Sequence, residues 1–120
     1  MSTILAPTRS EIATVIEKAA DVIRTNGLHK GYLYDEQQAE AGTALEQCPV
    51  CLIGAINIAV YQVPRWPVEE KNLSPLAQEA VAALEKTIGE AVPGWNDDPA
   101  RTKDDVITAL TDTVNRLREV

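Results

Sequence analysis

Two cysteines separated by two residues are the feature of this sequence that most suggests chemistry. Cys48 and Cys51 enclose Pro49 and Val50. A thiol pair with this spacing at a helix N-terminus can have a lowered pKa and can exchange disulfides. A redox site of this kind follows a buried strand, but residues 41–47 lack the pattern of a strand. We therefore expect both cysteines to act as small apolar residues in the core.

A metal site at the same cysteines would need further ligands. A tetrahedral zinc site takes four, but the sequence has no third cysteine and His29 is its single histidine. Only a carboxylate or a second subunit could complete the set. We predict no metal site and no cofactor.

His29 is also the candidate general base for a cysteine nucleophile. Cys51 and His29 could form a catalytic pair if the fold brought them within hydrogen-bond reach. No oxyanion-hole or nucleophile-elbow motif accompanies them. We therefore expect no catalytic residue, and we place His29 as a partly exposed residue beyond the end of a helix.

Residues 95–102 form the densest polar and aromatic cluster of the chain. Its candidate binding residues are Trp95, Asn96, Asp97 and Arg101. The oxygen-bearing side chains could bind a cation, but their spacing matches no EF-hand loop. A structural role explains more, because Asn and Asp close turns and Trp95 can anchor a loop to the core. Arg101 would then hold a carboxylate of the loop or of a partner.

A second aromatic candidate lies between two prolines. Trp66 and the adjacent Arg65 are flanked by Pro64 and Pro67, which end a helix and favour an extended connection. Trp and Arg are frequent anchors of protein interfaces. The two interpretations are an exposed recognition residue and a Trp lid over the core.

Helix-capping residues followed by apolar residues at helical spacing predict the helices that would position these candidate residues. Thr8 and Glu11 form a capping box, so a first helix should begin there and end at Asn26, with Gly27 in the left-handed conformation. Residues 29–47 have no clear periodicity, which predicts a binding or covering loop or a partly disordered segment.

Three more helices follow from similar patterns. Residues 49–61 are apolar on nearly every face and should form the central helix, where small residues such as Gly54 would let a neighbouring helix approach. Caps at Ser74 and Thr102 begin the other two. We predict a mostly α fold, a small irregular four-helix bundle around the central apolar helix. A short strand pair in the loops is left open.

Size and charge narrow the classes of protein. The 120 residues, 45% of them apolar, suit one helical domain spanning residues 1–120. The net charge of −7 repels nucleic acid. Residues 1–8 lack the pattern of a secretory signal, and the apolar run of residues 50–61 is shorter than the roughly 20 residues that cross a bilayer. We predict a cytoplasmic protein that binds neither membrane nor nucleic acid.

Three segments together resemble a known family. They are His29-Lys30-Gly31-Tyr32 after Gly27, residues 51–56 with Ala59, and residues 95–102 leading to Asp105-Val106. The chain resembles an uncharacterised family of small proteins from actinobacteria and their phages. This resemblance implies an origin but no activity, and Cys48 is additional to the pattern.

The leading functional hypothesis is a non-enzymatic protein-interaction module, such as a phage-encoded or accessory modulator of a bacterial host protein. Small size, acidity and the lack of a catalytic motif motivate it. One alternative is a thiol- or metal-dependent enzyme at Cys48, Cys51 and His29. Another is a structural protein that forms homo-oligomers through the small-residue helix or Trp66.

Overall fold

The computed structural model describes residues 6–119, which fold mainly into α-helices and contain no β-sheet. The mostly helical bundle expected from the sequence is confirmed. The helices are α1 (Arg9–Asn26), α2 (Glu36–Glu40), α3 (Leu52–Tyr61), α4 (Pro75–Ile88), α5 (Val92–Asp97) and α6 (Lys103–Arg118), with single 3-10 turns at Leu45–Gln47 and Glu70–Asn72. Residues 1–5 and residue 120 lie outside the described residues. The prediction that residues 1–8 do not form a secretory signal therefore falls mostly outside them.

Hydroxyl side chains cap the beginnings of three of the four long helices. Thr8 Oγ1 accepts a hydrogen bond from the Glu11 N–H at 3.0 Å, and Glu11 Oε1 accepts one from the Thr8 N–H at 2.9 Å. Thr102 and Asp105 form the same reciprocal pair at the start of α6, and Ser74 caps α4. The hydrogen bonds from Thr8 and Thr102 lower the pKa of the Glu11 and Asp105 carboxyls.

The core lies where the long helices meet. α1 packs against α6, α3 and α4, while α3 packs against α1, α4 and α5. Aliphatic side chains fill this space, with Ile16, Ile23, Leu52, Ile56, Leu84 and Leu110 fully buried. None of the helices within residues 6–119 has the length and apolar character to cross a membrane.

The central helix begins three residues later than the sequence predicts. Pro49 and Val50 are extended instead of helical, and Val50 forms isolated β-bridges with Leu28 (parallel) and Tyr34 (antiparallel). The Val50 carbonyl accepts the His29 N–H at 2.9 Å, and the Pro49 carbonyl accepts the Asp35 N–H at 2.9 Å. Pairing with the loop on both sides therefore replaces a first helical turn, and these two bridges are the β structure of the described residues.

Two short helices also occupy segments expected to be loop or turn. α2 lies within residues 29–47, and α5 includes Trp95, Asn96 and Asp97. The N–H of Val92, at the start of α5, donates to the Glu85 carboxylate on α4 at 3.0 Å. A cap supplied by another helix leaves no local pattern, so the sequence alone predicts a turn here.

Two glycines differ in detail from expectation. An ideal Cβ on Gly54 would lie 2.2 Å from the Leu33 carbonyl oxygen, so the backbone that approaches Gly54 belongs to the loop and not to a neighbouring helix. Gly27 ends α1 with a positive φ of 100°, but its ψ of 165° is extended and so outside the left-handed helical region.

Candidate functional site

Asn96 joins three segments that are distant in the sequence. Its side chain is 1% exposed, and its Oδ1 accepts the Leu52 N–H at 2.9 Å, at the start of α3. Its Nδ2 donates to the His29 carbonyl at 3.1 Å and to Asp97 Oδ1 at 3.0 Å. The buried amide has partners on both atoms, and it fixes α5 against α3 and the loop that follows α1.

Lys30 and Gly31 attach the same loop to the turn after α5. Lys30 Nζ donates to the carbonyls of Asp98 at 2.8 Å and Arg101 at 2.7 Å. The Gly31 N–H donates to Asp97 Oδ1 at 3.0 Å. The loop from His29 to Gly31 is therefore held by its own Lys30 side chain, which binds the turn, and by the Asp97 side chain, which binds the loop backbone.

Arg101 lies flat against Trp95. Its guanidinium carbon is 3.8 Å from the indole centroid, and its Nε donates to the Trp95 carbonyl at 2.9 Å. One guanidinium nitrogen is also 3.9 Å from the Asp98 carboxylate. Trp95 itself is half-buried against the core. These contacts hold Arg101 within its own turn.

A pocket of about 170 Å³ opens beside these contacts. Its walls are mainly apolar. The lining residues are Gly31, Tyr32, Leu33, Cys51, Ile53, Val92, Pro93, Asn96 and Asp97. Tyr32 is 46% exposed, and the Asp97 side chain is also exposed. Of the sequence-derived candidates, the structure thus brings Cys51, Asn96 and Asp97 together.

The cysteines lie in surroundings that disfavour the thiolate. Cys51 is the N-cap of α3, and its Sγ accepts the Gly54 N–H at 3.3 Å. Burial raises the pKa of the Cys51 thiol, the N–H groups of Gly54 and Ile53 oppose that rise, and the Asp97 charge adds to it. Burial also raises the pKa of Cys48, which is fully buried with its Sγ 3.4 Å from the Ala44 carbonyl. Both cysteines are free thiols.

His29 contributes its backbone to this region. Its N–H donates to the Val50 carbonyl and its carbonyl accepts from Asn96. In the described part of the chain, no hydrogen bond joins the imidazole to Cys51, and His29 does not line the pocket. Among these residues there is also no group of three or more His, Cys, Asp or Glu side chains arranged to hold a metal ion.

Arg65 and Trp66 point to different surroundings. Arg65 is exposed, and its Nη2 donates to the Tyr34 hydroxyl at 2.8 Å. The centroid of the Tyr34 ring lies 5.3 Å from that of Tyr32, which lines the pocket. Arg65 is therefore linked to the pocket by contacts of Tyr34 and Tyr32. Trp66 is half-buried and packs edge-on against Tyr61, with centroids 6.3 Å apart. The contacts of Trp66 are those of a lid over the core.

The candidate residues drawn from the sequence do not include Tyr32 or Lys30. Both lie in the segment of residues 29–32, where local periodicity fades. The position of Lys30 depends on partners more than 60 residues away in the chain, such as Asp98, whereas Tyr32 packs against the ring of Tyr34. The family resemblance includes His29-Lys30-Gly31-Tyr32, and it is the feature of the sequence that points to this segment.

Comparison with known proteins gives a family and no further relative. The model of a family of unknown function, DUF6197, matches residues 7–116. No curated protein and no solved structure matches the chain. The matched range contains every residue of the pocket and of the Asn96 contacts. The chain therefore belongs to the family of unknown function DUF6197.

Proposed function

We propose that the protein is a non-enzymatic protein-interaction module that receives an apolar side chain of a partner in the pocket beside Tyr32. The observation that carries this proposal is the pocket of about 170 Å³ with mainly apolar walls, whose sides are joined by the buried Asn96. A preformed cavity binds with little ordering cost.

The rim of the pocket has the composition of a contact surface. Tyr32 is exposed, and Arg65 lies beyond it at the Tyr34 hydroxyl. Tyrosine and arginine are enriched among the residues that dominate binding energy at interfaces. The net charge of −7 favours a protein over a nucleic acid as the partner.

The finer proposal is that the partner is a bacterial protein and that this chain is an accessory or phage-encoded modulator of it, from actinobacteria or their phages. The motifs of residues 29–32 and 95–102 support that origin. The same proposal locates the protein in the cytoplasm, where reducing conditions keep thiols free, as Cys48 and Cys51 are here.

Site-specific photocrosslinking tests this function. A benzophenone amino acid replaces Tyr32 in one variant and the exposed Lys18 of α1 in a control variant. We expect a discrete adduct from position 32 in bacterial lysate. Excess unlabelled wild-type protein should suppress it, and excess Ile53→Phe protein, whose added ring fills the pocket, should not. Equal adducts from both positions would contradict the proposal.

A second candidate function is thiol-dependent chemistry at Cys51. The observation in its favour is that Cys51 Sγ lies at the N-terminus of α3 and lines the pocket with Asn96 and Asp97. Its raised pKa favours the interaction module instead, because the thiolate is the nucleophile. Measurement of the alkylation rate of Cys51 separates the two.

A further inference from the structure

The size of the pocket limits what can enter it. At about 170 Å³ it is smaller than the roughly 300–1,000 Å³ of clefts that hold small-molecule ligands or cofactors. One apolar side chain matches this volume, and the walls formed by Leu33, Ile53 and Val92 suit it. The volume therefore suits a single side chain better than a small-molecule ligand or cofactor.

The mouth of the pocket carries a carboxylate that the fold has oriented. Asp97 Oδ1 accepts hydrogen bonds from the Gly31 N–H and from Asn96 Nδ2. Among residues 6–119, Asp97 Oδ2 accepts no hydrogen bond and no cation lies within ion-pair distance of Asp97. One oxygen thus holds the side chain in place and leaves the other oxygen of the exposed carboxyl group available to a partner.

The cations in the same region are already engaged. Lys30 donates to backbone carbonyls of the turn after α5, and Arg101 stacks on Trp95 beside Asp98. These contacts keep both groups away from Asp97 Oδ2, so a cation from outside can approach it. The net charge of −7 attracts a basic segment over longer distance.

We propose that the pocket recognises a protein segment in which an apolar side chain lies next to an arginine or lysine. The apolar side chain enters the pocket and the cation pairs with Asp97 at its mouth. Tyr32 offers the cation a partly exposed aromatic face on the rim. This inference rests on the proposed function, since it names the chemistry of the partner at the same site.

Short peptides test the pairing by nuclear magnetic resonance. The probes are acetyl-Gly-Leu-Arg-Gly-amide, its counterparts with Gln or Glu in place of Arg, and a counterpart with Gly in place of Leu. We expect the leucine peptides to shift the amide signals of Gly31, Cys51 and Ile53. The Arg peptide should bind about five-fold more tightly than the Glu peptide at low ionic strength, and the difference should shrink in high salt.

Asp97→Asn is the decisive variant, because the asparagine side-chain oxygen can still accept from Gly31 and Asn96. It should remove most of the difference between the Arg and Glu peptides, leaving only the part that the remaining net charge supplies, and leave the affinity of the Gln peptide unchanged. Asp104→Asn makes the same charge change at an exposed position of α6 outside the pocket, and the difference should persist in it.

The outcomes separate the inference from the proposed function. If the leucine peptides shift the pocket signals equally whatever their charge, the cation pairing is wrong and the apolar pocket function stands. If the peptide lacking Leu binds as well as the Arg peptide, the combined recognition is wrong. If no leucine peptide shifts these signals, the proposed function fails as well.

Discussion

The side-chain oxygen of Asn96 accepts the backbone N–H of Leu52 at 2.9 Å, across 44 positions of sequence. The first free donor of α3 is therefore satisfied from α5 and not by its own N-cap residue, Cys51, whose sulfur accepts from Gly54. Because Asn96 also donates to the His29 carbonyl, one buried amide sets the relative positions of the pocket walls.

Replacing Asn96 with Leu should destabilise the protein strongly. The Leu52 N–H and the His29 carbonyl would both lose their partner, and an unsatisfied buried group costs about 1–3 kcal/mol. We expect the free energy of unfolding, measured with urea, to fall by about 2–4 kcal/mol. Asn96→Asp should also destabilise, and less so as the pH falls, because the introduced carboxylate faces Asp97 and is relieved by protonation.

The exposed Asn115 of α6 provides the control for these variants. Asn115→Asp should change the free energy of unfolding by less than about 0.5 kcal/mol. A loss below about 1 kcal/mol for Asn96→Leu would contradict the role assigned to the Asn96 amide.

Sequence patterns predict what local contacts decide. The capping box of Thr8 and Glu11 lies within four residues, and the structure has the predicted start of α1. The start of α3 is different, since Val50 pairs with Leu28 and Tyr34 and so remains extended. Periodicity carries no information about such pairings. Pro49 therefore predicts a first helical turn at residues 49–51, but in the structure this segment pairs with the loop instead.

The candidate site follows the same division. Residue type identified Asn96, Asp97 and Cys51 as chemically notable, and the fold brings them to one pocket. Spacing could not indicate that the Asn96 amide reaches His29, 67 residues away, or that Lys30 reaches the carbonyl of Asp98. The side chains were identifiable, but their partners depended on the tertiary structure.

Gly54→Ala should destabilise the contact between α3 and the loop. The new Cβ would lie 2.2 Å from the Leu33 carbonyl oxygen, which is backbone and must move with its segment. We expect a loss of about 1–3 kcal/mol in urea unfolding and broadened amide signals around Leu33. Gly94→Ala is the matched control on α5, since beyond its chain neighbours and the nearby backbone of α5 no heavy atom lies within 4 Å of its Cβ position. It should be neutral or stabilising by up to about 1 kcal/mol. Equal effects of the two substitutions would refute this steric explanation.

Both thiols should react slowly at neutral pH. Their raised pKa values leave little thiolate, so alkylation of the folded protein by iodoacetamide should be at least about ten-fold slower than in denaturing urea. Cys51 should react before the fully buried Cys48, and its rate should rise above the ordinary thiol pKa. Mass spectrometry of time points distinguishes the two sites. Fast alkylation of Cys51 at neutral pH would instead support the thiol-dependent function.

The raised pKa values of Cys48 and Cys51 should also lower the free energy of unfolding at alkaline pH. A thiol whose folded pKa is raised contributes stability that is complete below the unfolded pKa and is lost as the pH rises towards the folded value. The free energy of unfolding should therefore decline above pH 9.0, the reference value for the thiol. Cys51→Ser should lessen this decline relative to the wild-type protein, and an unchanged pH profile would contradict the burial assigned to Cys51.

Asn57 on α3 is fully buried, and its amide nitrogen and oxygen have no hydrogen-bond partner among the described residues. Burying an unpaired amide is unfavourable, and an apolar side chain of similar shape removes that cost. We therefore expect Asn57→Leu to raise the free energy of unfolding by about 1–2 kcal/mol in urea titrations. Asn57→Asp, which keeps the shape and adds a buried charge, should lower it. A loss of stability in Asn57→Leu would contradict the cost assigned here to the unpaired amide.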